Sequence, residues 1–225
     1  TQGRLLINYD PLGGKWYMHI SSLVSLTNCP SCVKKTEYAG IDLGVAVIAA
    51  VLTTTGDALL YKGSALKSSF FYFTKEISKA DSLLAGVEEV DRAVLKEKRR
   101  WFFRKRKRQR DQIFNNLATH LANELSSHSV DAAFVGLPLD IIHDKPGKLV
   151  SGLWSYGRLL EKLSIAFENR NIALFGVPEH GSSTTCAWHG CRVERAVRGV
   201  VQCPYGHTMH SDLNAAANHL KRGLS

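Results

Sequence analysis

The 225-residue sequence predicts an α/β fold, a mixed sheet with a long basic helix and a metal-ligating loop inserted before the last helix. Three observations predict it. Apolar runs bounded by glycine, proline and polar turns mark strands at 39–51, 58–63, 132–138 and 172–179. Helical periodicity occupies about 80–126 and 153–169. Strands that alternate with helices in the second half fit parallel neighbours joined by right-handed crossovers.

At the front, RLLINYD, PLGGK and WYMHISSLVSL give two β-rich runs around a Pro/Gly turn. A lone hairpin is marginal, so these residues read as the remainder of a β domain whose other strands would precede Thr1. A polar loop, TNCPSCVKK, follows. Its Cys29 and Cys32 have C-x2-C spacing but no nearby second pair, and are expected to be loop residues. The run AGIDLGVAVIAAV is expected to be one apolar strand carrying Asp42. As a strand-end residue Asp42 could simply cap a turn. A carboxylate amid so apolar a run otherwise needs a partner, and Mg²⁺ is one. Thr53 to Asp57 form a hairpin turn, 58–63 the next strand, and Phe70 to Phe73 a third strand or a packed segment.

In the helical region, Val87, Val90, Val94 and Trp101 keep one face, and Ile113, Leu117, Leu121 and Leu125 recur every fourth residue, as in one long helix or a helical pair. The formal charge of the chain is +9. Residues 96–110 hold ten Lys/Arg and one Glu, which leaves nineteen of each sign elsewhere, so this segment carries the whole excess. Such concentration marks a polyanion-binding surface, with Arg99, Arg100, Arg104, Lys105, Arg106, Lys107, Arg108 and Arg110 as the candidate phosphate contacts. Trp101, Phe102 and Phe103 in its midst could stack on bases or pack on another domain. Nucleic acid is the first candidate partner and an anionic membrane the second. No apolar stretch approaches the ~20 residues that span a bilayer and no signal peptide starts the sequence, so a cytoplasmic protein with no membrane partner is expected. Five cysteines, an odd number, fit reduced thiols rather than a disulfide framework.

The last forty residues carry the sharpest signal. Cys186-Ala-Trp-His189 and Cys203-Pro-Tyr-Gly-His207 present two thiol/imidazole pairs separated by a basic thirteen-residue loop, a donor set suited to tetrahedral Zn²⁺. Cys191 is the substitute ligand if His189 points away. Directly after comes Ser211-Asp212-Leu-Asn214-Ala-Ala, with Asp212 at a helix start. A helix dipole alone favours an acid there. The neighbouring metal loop and Asn214 favour instead a divalent-metal site shared with Asp42.

With GIDLG, the basic helix, a buried strand, the metal loop and SDLNAA in this order, the chain resembles the RuvC-like half of the TnpB family, transposon-encoded RNA-guided DNA endonucleases related to type V CRISPR effectors. KWYMHISSLVSL is similar to the last strands of that family's oligonucleotide-binding wedge domain. The resemblance implies an RNase H-like fold, guide RNA and DNA as partners, Asp42 as first-motif acid and Asp212 as third-motif acid. It implies domains at 1–35 (wedge remnant), 36–180 (nuclease core with the basic helical segment), 181–210 (zinc-ribbon-like loop) and 211–225 (last core helix). The family usually ends its fourth strand with a catalytic Glu, where this chain has Gly136. Glu179, at the end of the next strand, is the expected replacement, and Asp140 the second choice. The implied chemistry is two-metal hydrolysis, with Asp42 bridging two Mg²⁺ or Mn²⁺ ions roughly 4 Å apart and Glu179 and Asp212 each holding one. A nuclease-inactive nucleic-acid binder or repressor is the competing expectation, resting on Gly136. A junction resolvase shares the fold but has no use for the metal loop.

Overall fold

A computed structural model describes residues 5–11, 14–20, 36–86, 89–137, 155–195 and 197–225. Cys29, Cys32 and Asp140 lie outside them. The chain divides into two compact units, one formed by 1–34 with 68–112 and the other by 35–67 with 113–225.

The larger unit is built on a five-stranded sheet. Its strands are β3 (Glu37–Asp42), β4 (Val47–Thr53), β5 (Ala58–Lys62), β6 (Val130–Leu137) and β7 (Ala173–Pro178), in the order β5-β4-β3-β6-β7. The first three are an antiparallel meander, while β6 and β7 run parallel to β3. The fold is therefore the mixed α/β sheet expected. The run 39–51 is not one strand, however. The chain reverses after Asp42 and returns as β4, so that Asp42 pairs with Ala50 and ends its strand. This reversal is what places the carboxylate at a sheet edge rather than mid-strand.

Side-chain alternation gives the sheet two faces. Ala39, Ile41, Ala133 and Val135 point one way and are buried. The apolar stripes available to cover them are Phe114, Leu121 and Leu125 of α2 (Glu89–Ser127), and Leu159, Leu163 and Phe167 of α3 (Tyr156–Glu168), all buried. Tyr38, Gly40, Asp42, Phe134 and Gly136 point the other way, toward the final helix α4 (Ser211–Leu224). The approach is close. A Cβ on Gly40 would lie 2.0 Å from the Ala216 carbonyl oxygen, so only glycine fits beneath the helix there.

The smaller unit holds a two-stranded ribbon, β1 (Leu5–Asp10) with β2 (Lys15–Ile20), and an antiparallel pair of helical segments. In the ribbon Leu5, Ile7, Trp16, Met18 and Ile20 are exposed. Helix α1 (Ser64–Gly86) contains Phe70 to Phe73, for which the sequence alone suggests a strand or packed segment, and helix begins well before residue 80. Aromatic residues favour strands locally, but here helical spacing brings Phe73 and Ile77 onto Phe102 in a buried cluster. The helical-pair alternative thus holds. Arg99 bonds Asp81, Ser69 donates to Gln109 at 2.6 Å, and Arg106 donates to Thr74 at 3.3 Å, which fixes the antiparallel register of α1 and α2.

Candidate functional site

Two centres meet on α4. The first is the Cys/His ribbon, with β8 (Val200–Gln202) and β9 (Thr208–His210) as its short hairpin. Each ligand pair sits in a knuckle. Cys186 N–H donates to the Cys191 carbonyl at 2.8 Å and Cys203 N–H to the His207 carbonyl at 2.9 Å. Gly190 and Gly206, at φ +67° and +82°, let the chain reverse there. The four donor atoms of Cys186, His189, Cys203 and His207 lie within 4.8 Å of one another. His189 Nδ1 is 3.3 Å from Cys203 Sγ and 3.7 Å from Cys186 Sγ, and His207 Nδ1 is 3.7 Å from Cys186 Sγ. Tetrahedral zinc with its usual S and N bond lengths requires donor separations of roughly 3.3 to 3.8 Å. These three separations fall in that range, and two thiols with two imidazoles are a donor set suited to such an ion.

His189 points into the cluster, so Cys191 is not needed as its substitute. The thiols differ accordingly. Burial alone would push Cys186 and Cys203 up, but neighbouring backbone N–H groups, joined at Cys186 by the His207 imidazole, bring both below the usual thiol range. Cys191 goes the other way, pushed up by burial and by the charge of Cys203. The first two favour the thiolate that a metal takes and the third does not.

The ribbon is bound to α4 by two buried asparagines one turn apart. Asn214 accepts from Ala187 N–H at 2.9 Å and donates to the Thr185 carbonyl at 2.8 Å. Asn218 donates to the Ser182 and Thr185 carbonyls, each at 2.8 Å. The residue after Cys186 is therefore tied directly to the helix that opens with Asp212.

The second centre is the C-terminal edge of the parallel strands. Ile41 pairs with Val135 and Val135 with Gly176, so Asp42, Gly136 and Val177 form the next row across the sheet. Glu179 follows one side-chain period beyond Val177, and its N–H donates to the Leu137 carbonyl at 3.3 Å. Arg222 of α4 brackets it, donating to the carbonyls of Pro178 and His180. Contacts along α4 run against β6, with Gly223 over Phe134 and His219 over Gly136. The helix start, with Asp212, is thereby directed to the edge where the strands end. Asp212 shares the stripe of Ala216, His219 and Gly223, at helical spacings of four, three and four. Its own N–H is capped by His210 Nδ1 at 3.2 Å, and its Oδ1 accepts from Ser211 at 2.9 Å. Asp42, Glu179 and Asp212 are all partly exposed.

Two residues of this edge escape sequence reading. Tyr156, at the start of α3, donates its hydroxyl to the Gly136 carbonyl. Burial raises its ionisation above the ordinary phenol range, and the charges of Glu179 and Asp42 raise it further, so both carboxylates act on one hydroxyl. His219 is fully buried, with Nε2 3.4 Å from Asp42 Oδ1. Its one signal in the sequence is a histidine on the apolar stripe of α4, and the glycine it faces is Gly136.

The basic segment divides in two. Arg100 and Arg104 reach Glu97, Arg110 reaches Asp111 at 3.1 Å, and Arg99 lies over Phe103 as well as on Asp81. Arg106 lies over both Phe70 and Phe103, and Lys105 over Trp101. Lys107 and Arg108 are exposed and, among the described residues, enter no ion pair.

Sheet order, the returning acid-bearing helix and the ribbon define a RuvC-like α/β domain. The OrfB_IS605 family, described as "Probable transposase", matches residues 21–141, and the Cas12f1-like TNB domain matches residues 156–219. The chain belongs to this transposase family, which is the TnpB family. It is 34% identical over 244 residues to the TnpB-like protein ORF457 of Acidianus two-tailed virus, covering 99% of this chain and 53% of the relative. The chain thus spans about half the length of that relative. Among solved structures it is similar to a Cas12f1–sgRNA–target DNA complex, at 16% identity and TM-score 0.62, over 98% of this chain and 66% of that one. A CRISPR-Cas12f ternary complex matches at 15% identity and TM-score 0.64, over 96% of this chain and 44% of that one. At these identities the likeness concerns the fold. Among the described residues no helix is long and apolar enough to cross a membrane.

Proposed function

We propose that the chain is the nuclease portion of an RNA-guided DNA endonuclease that hydrolyses phosphodiester bonds with Asp42, Glu179 and Asp212. The observation that carries this reading is the sheet register, which sets Asp42, Gly136 and Val177 in one row, with Glu179 one side-chain period beyond Val177 and α4 directing Asp212 to the same edge. After burial, the charges of Glu179 and Asp42 both push the Tyr156 hydroxyl up, which accords with it. Three partly exposed carboxylates suit Mg²⁺ or Mn²⁺, hard cations that keep water and phosphate oxygens in their shells. Bound there, such ions supply an activated water and neutralise charge at the scissile phosphate. Asp42 and Glu179 would hold such ions from the strand ends and Asp212 from the start of α4. Tyr156 fixes the Gly136 carbonyl through its hydroxyl. Zn²⁺ in the ribbon has a structural task, since four protein donors leave it no open position.

In this reading 1–35 belongs to a wedge domain, 36–180 to the nuclease core, 181–210 to the ribbon and 211–225 to the last core helix. Guide RNA and DNA meet the basic face of α2. A nuclease-inactive binder is the second reading, favoured by the missing carboxylate at Gly136. Glu179→Gln separates the two. In a guided complex with the target DNA it should reduce Mg²⁺-dependent cleavage at least a thousandfold at unchanged DNA affinity. Cleavage at the unaltered rate would remove Glu179 from the site, and a wild-type complex that binds target without cutting would establish the binder.

A further inference from the structure

The place at which the strand β6 lacks a carboxylate is not empty. A Cβ built on Gly136 would lie 2.3 Å from His219 Nε2 and 2.4 Å from its Cε1. These atoms belong to a ring that is completely buried on a helix packed tightly against the sheet, with α4 held by Asn214, Asn218 and Arg222. The same Nε2 faces Asp42 Oδ1 at 3.4 Å, while Nδ1 is buried and, among the described residues, has no hydrogen-bond partner.

Those two facts decide the tautomer. A proton on Nδ1 would bury an N–H with nothing to receive it, whereas a bare Nδ1 lone pair in the same place is the less costly orphan. The proton therefore belongs on Nε2, where it points at a carboxylate. A histidine arranged this way cannot also offer Nε2 to a cation, because the lone pair that would bind is the one the proton occupies.

We propose that His219 is a positioning residue of the nuclease edge. Its Nε2–H holds Asp42 in the orientation that the divalent cations use, and its ring closes position 136 to any side chain, so that the third carboxylate has to come from Glu179 on the neighbouring strand. Gly136 and His219 are then one paired departure. The glycine makes room for the imidazole, and the imidazole takes over the support of Asp42 that a bare strand end lacks. This rests on the metal-dependent reading of the edge given above.

Mn²⁺ binding to the intact zinc-loaded protein, followed by electron paramagnetic resonance, tests the proposal without turnover. His219→Leu keeps the volume and loses the donor. It should weaken Mn²⁺ by about tenfold or more, as loss of an outer hydrogen-bond partner to a metal ligand commonly does. His219→Gln can place an N–H near the position of Nε2 and should stay within about threefold of wild type. Gly136→Ala should lower the melting temperature, and His219→Ala in the same chain should restore it while Mn²⁺ stays weak. Wild-type affinity in the leucine variant, or equal losses in the leucine and glutamine variants, would overturn the positioning role. So would ¹⁴N coupling from His219 in the Mn²⁺ spectrum, which would make it a ligand. Asp42→Asn and Glu179→Gln serve as controls for the underlying reading. If both bind Mn²⁺ as wild type does, the carboxylate edge is not the metal site, and that failure is separate from any result at His219.

Discussion

The ribbon and the carboxylate edge share one helix, yet they are assembled in opposite ways. The ribbon draws four donors from 22 consecutive residues, and its knuckle hydrogen bonds hold them within 4.8 Å of one another in one local structure. The candidate acids of the edge come from three elements between positions 42 and 212, related only by sheet register and helix direction, and among the described residues they do not gather into a metal-sized cluster as the ribbon donors do. A chelate made locally derives its stability from the ion, whereas a site made by tertiary packing inherits whatever precision its supports supply. The asparagine pair is where the ribbon is joined to the helix that opens with Asp212.

The largest effect expected from this difference follows removal of the ribbon metal. Zinc should be present at one atom per chain, and structural zinc sites of this kind carry apparent binding energies of ~10 to 16 kcal/mol. Chelation, or Cys186→Ala with Cys203→Ala, should melt 181–210, and metal analysis together with amide exchange would show it. Because Ala187 and Thr185 are tied to Asn214, protection should also fall at the start of α4. Exchange unchanged at Asp212 would mean that the edge stands without the ribbon. Cys191→Ala should leave the zinc content at one.

A smaller effect is expected where the two centres join. Asn214→Ala leaves the Ala187 N–H buried without its acceptor and should destabilise by about 1 to 3 kcal/mol. Zinc should stay bound, since no ligand is touched, while Mn²⁺ affinity at the edge falls severalfold. Unaltered Mn²⁺ affinity with intact zinc would show that the asparagines serve the ribbon alone.

The same contrast explains which parts of the molecule are legible in its sequence. The four ribbon ligands are legible because their chemistry and spacing are written in adjacent residues. The candidate acids Asp42 and Asp212 stand out through short motifs, and the alternation of strands and helices implies the mixed sheet. The reversal between β3 and β4 is not legible, because an unbroken apolar run hides a turn when both strands are buried. Phe70 to Phe73 mislead for a related reason, since four aromatics look like strand until Phe102 supplies a helical partner. His219 cannot be found by periodicity at all. Its meaning depends on Gly136, 83 positions away, and on the direction in which α4 crosses β6.

The smallest effect concerns the basic helix, where eight cations look alike in the sequence. Lys107 and Arg108 are exposed, whereas Arg106 is half-buried between Phe70 and Phe103, its guanidinium lowered first by burial and then by Arg110. Affinity for a polyanion falls with log salt by ~0.9 for each phosphate neutralised on duplex DNA. Lys107→Gln with Arg108→Gln should therefore flatten that slope by about two while leaving the melting temperature in place. Arg106→Gln should do the reverse. It removes two ring contacts, each worth ~0.5 to 2 kcal/mol, and should loosen the pairing of α1 with α2 at little change in salt slope. Both readings come from one titration series on the same DNA, with melting followed in parallel. Equal slope losses from the two sets would mean that Arg106 turns outward to meet phosphate, and that the ring contacts describe only the nucleic-acid-free state.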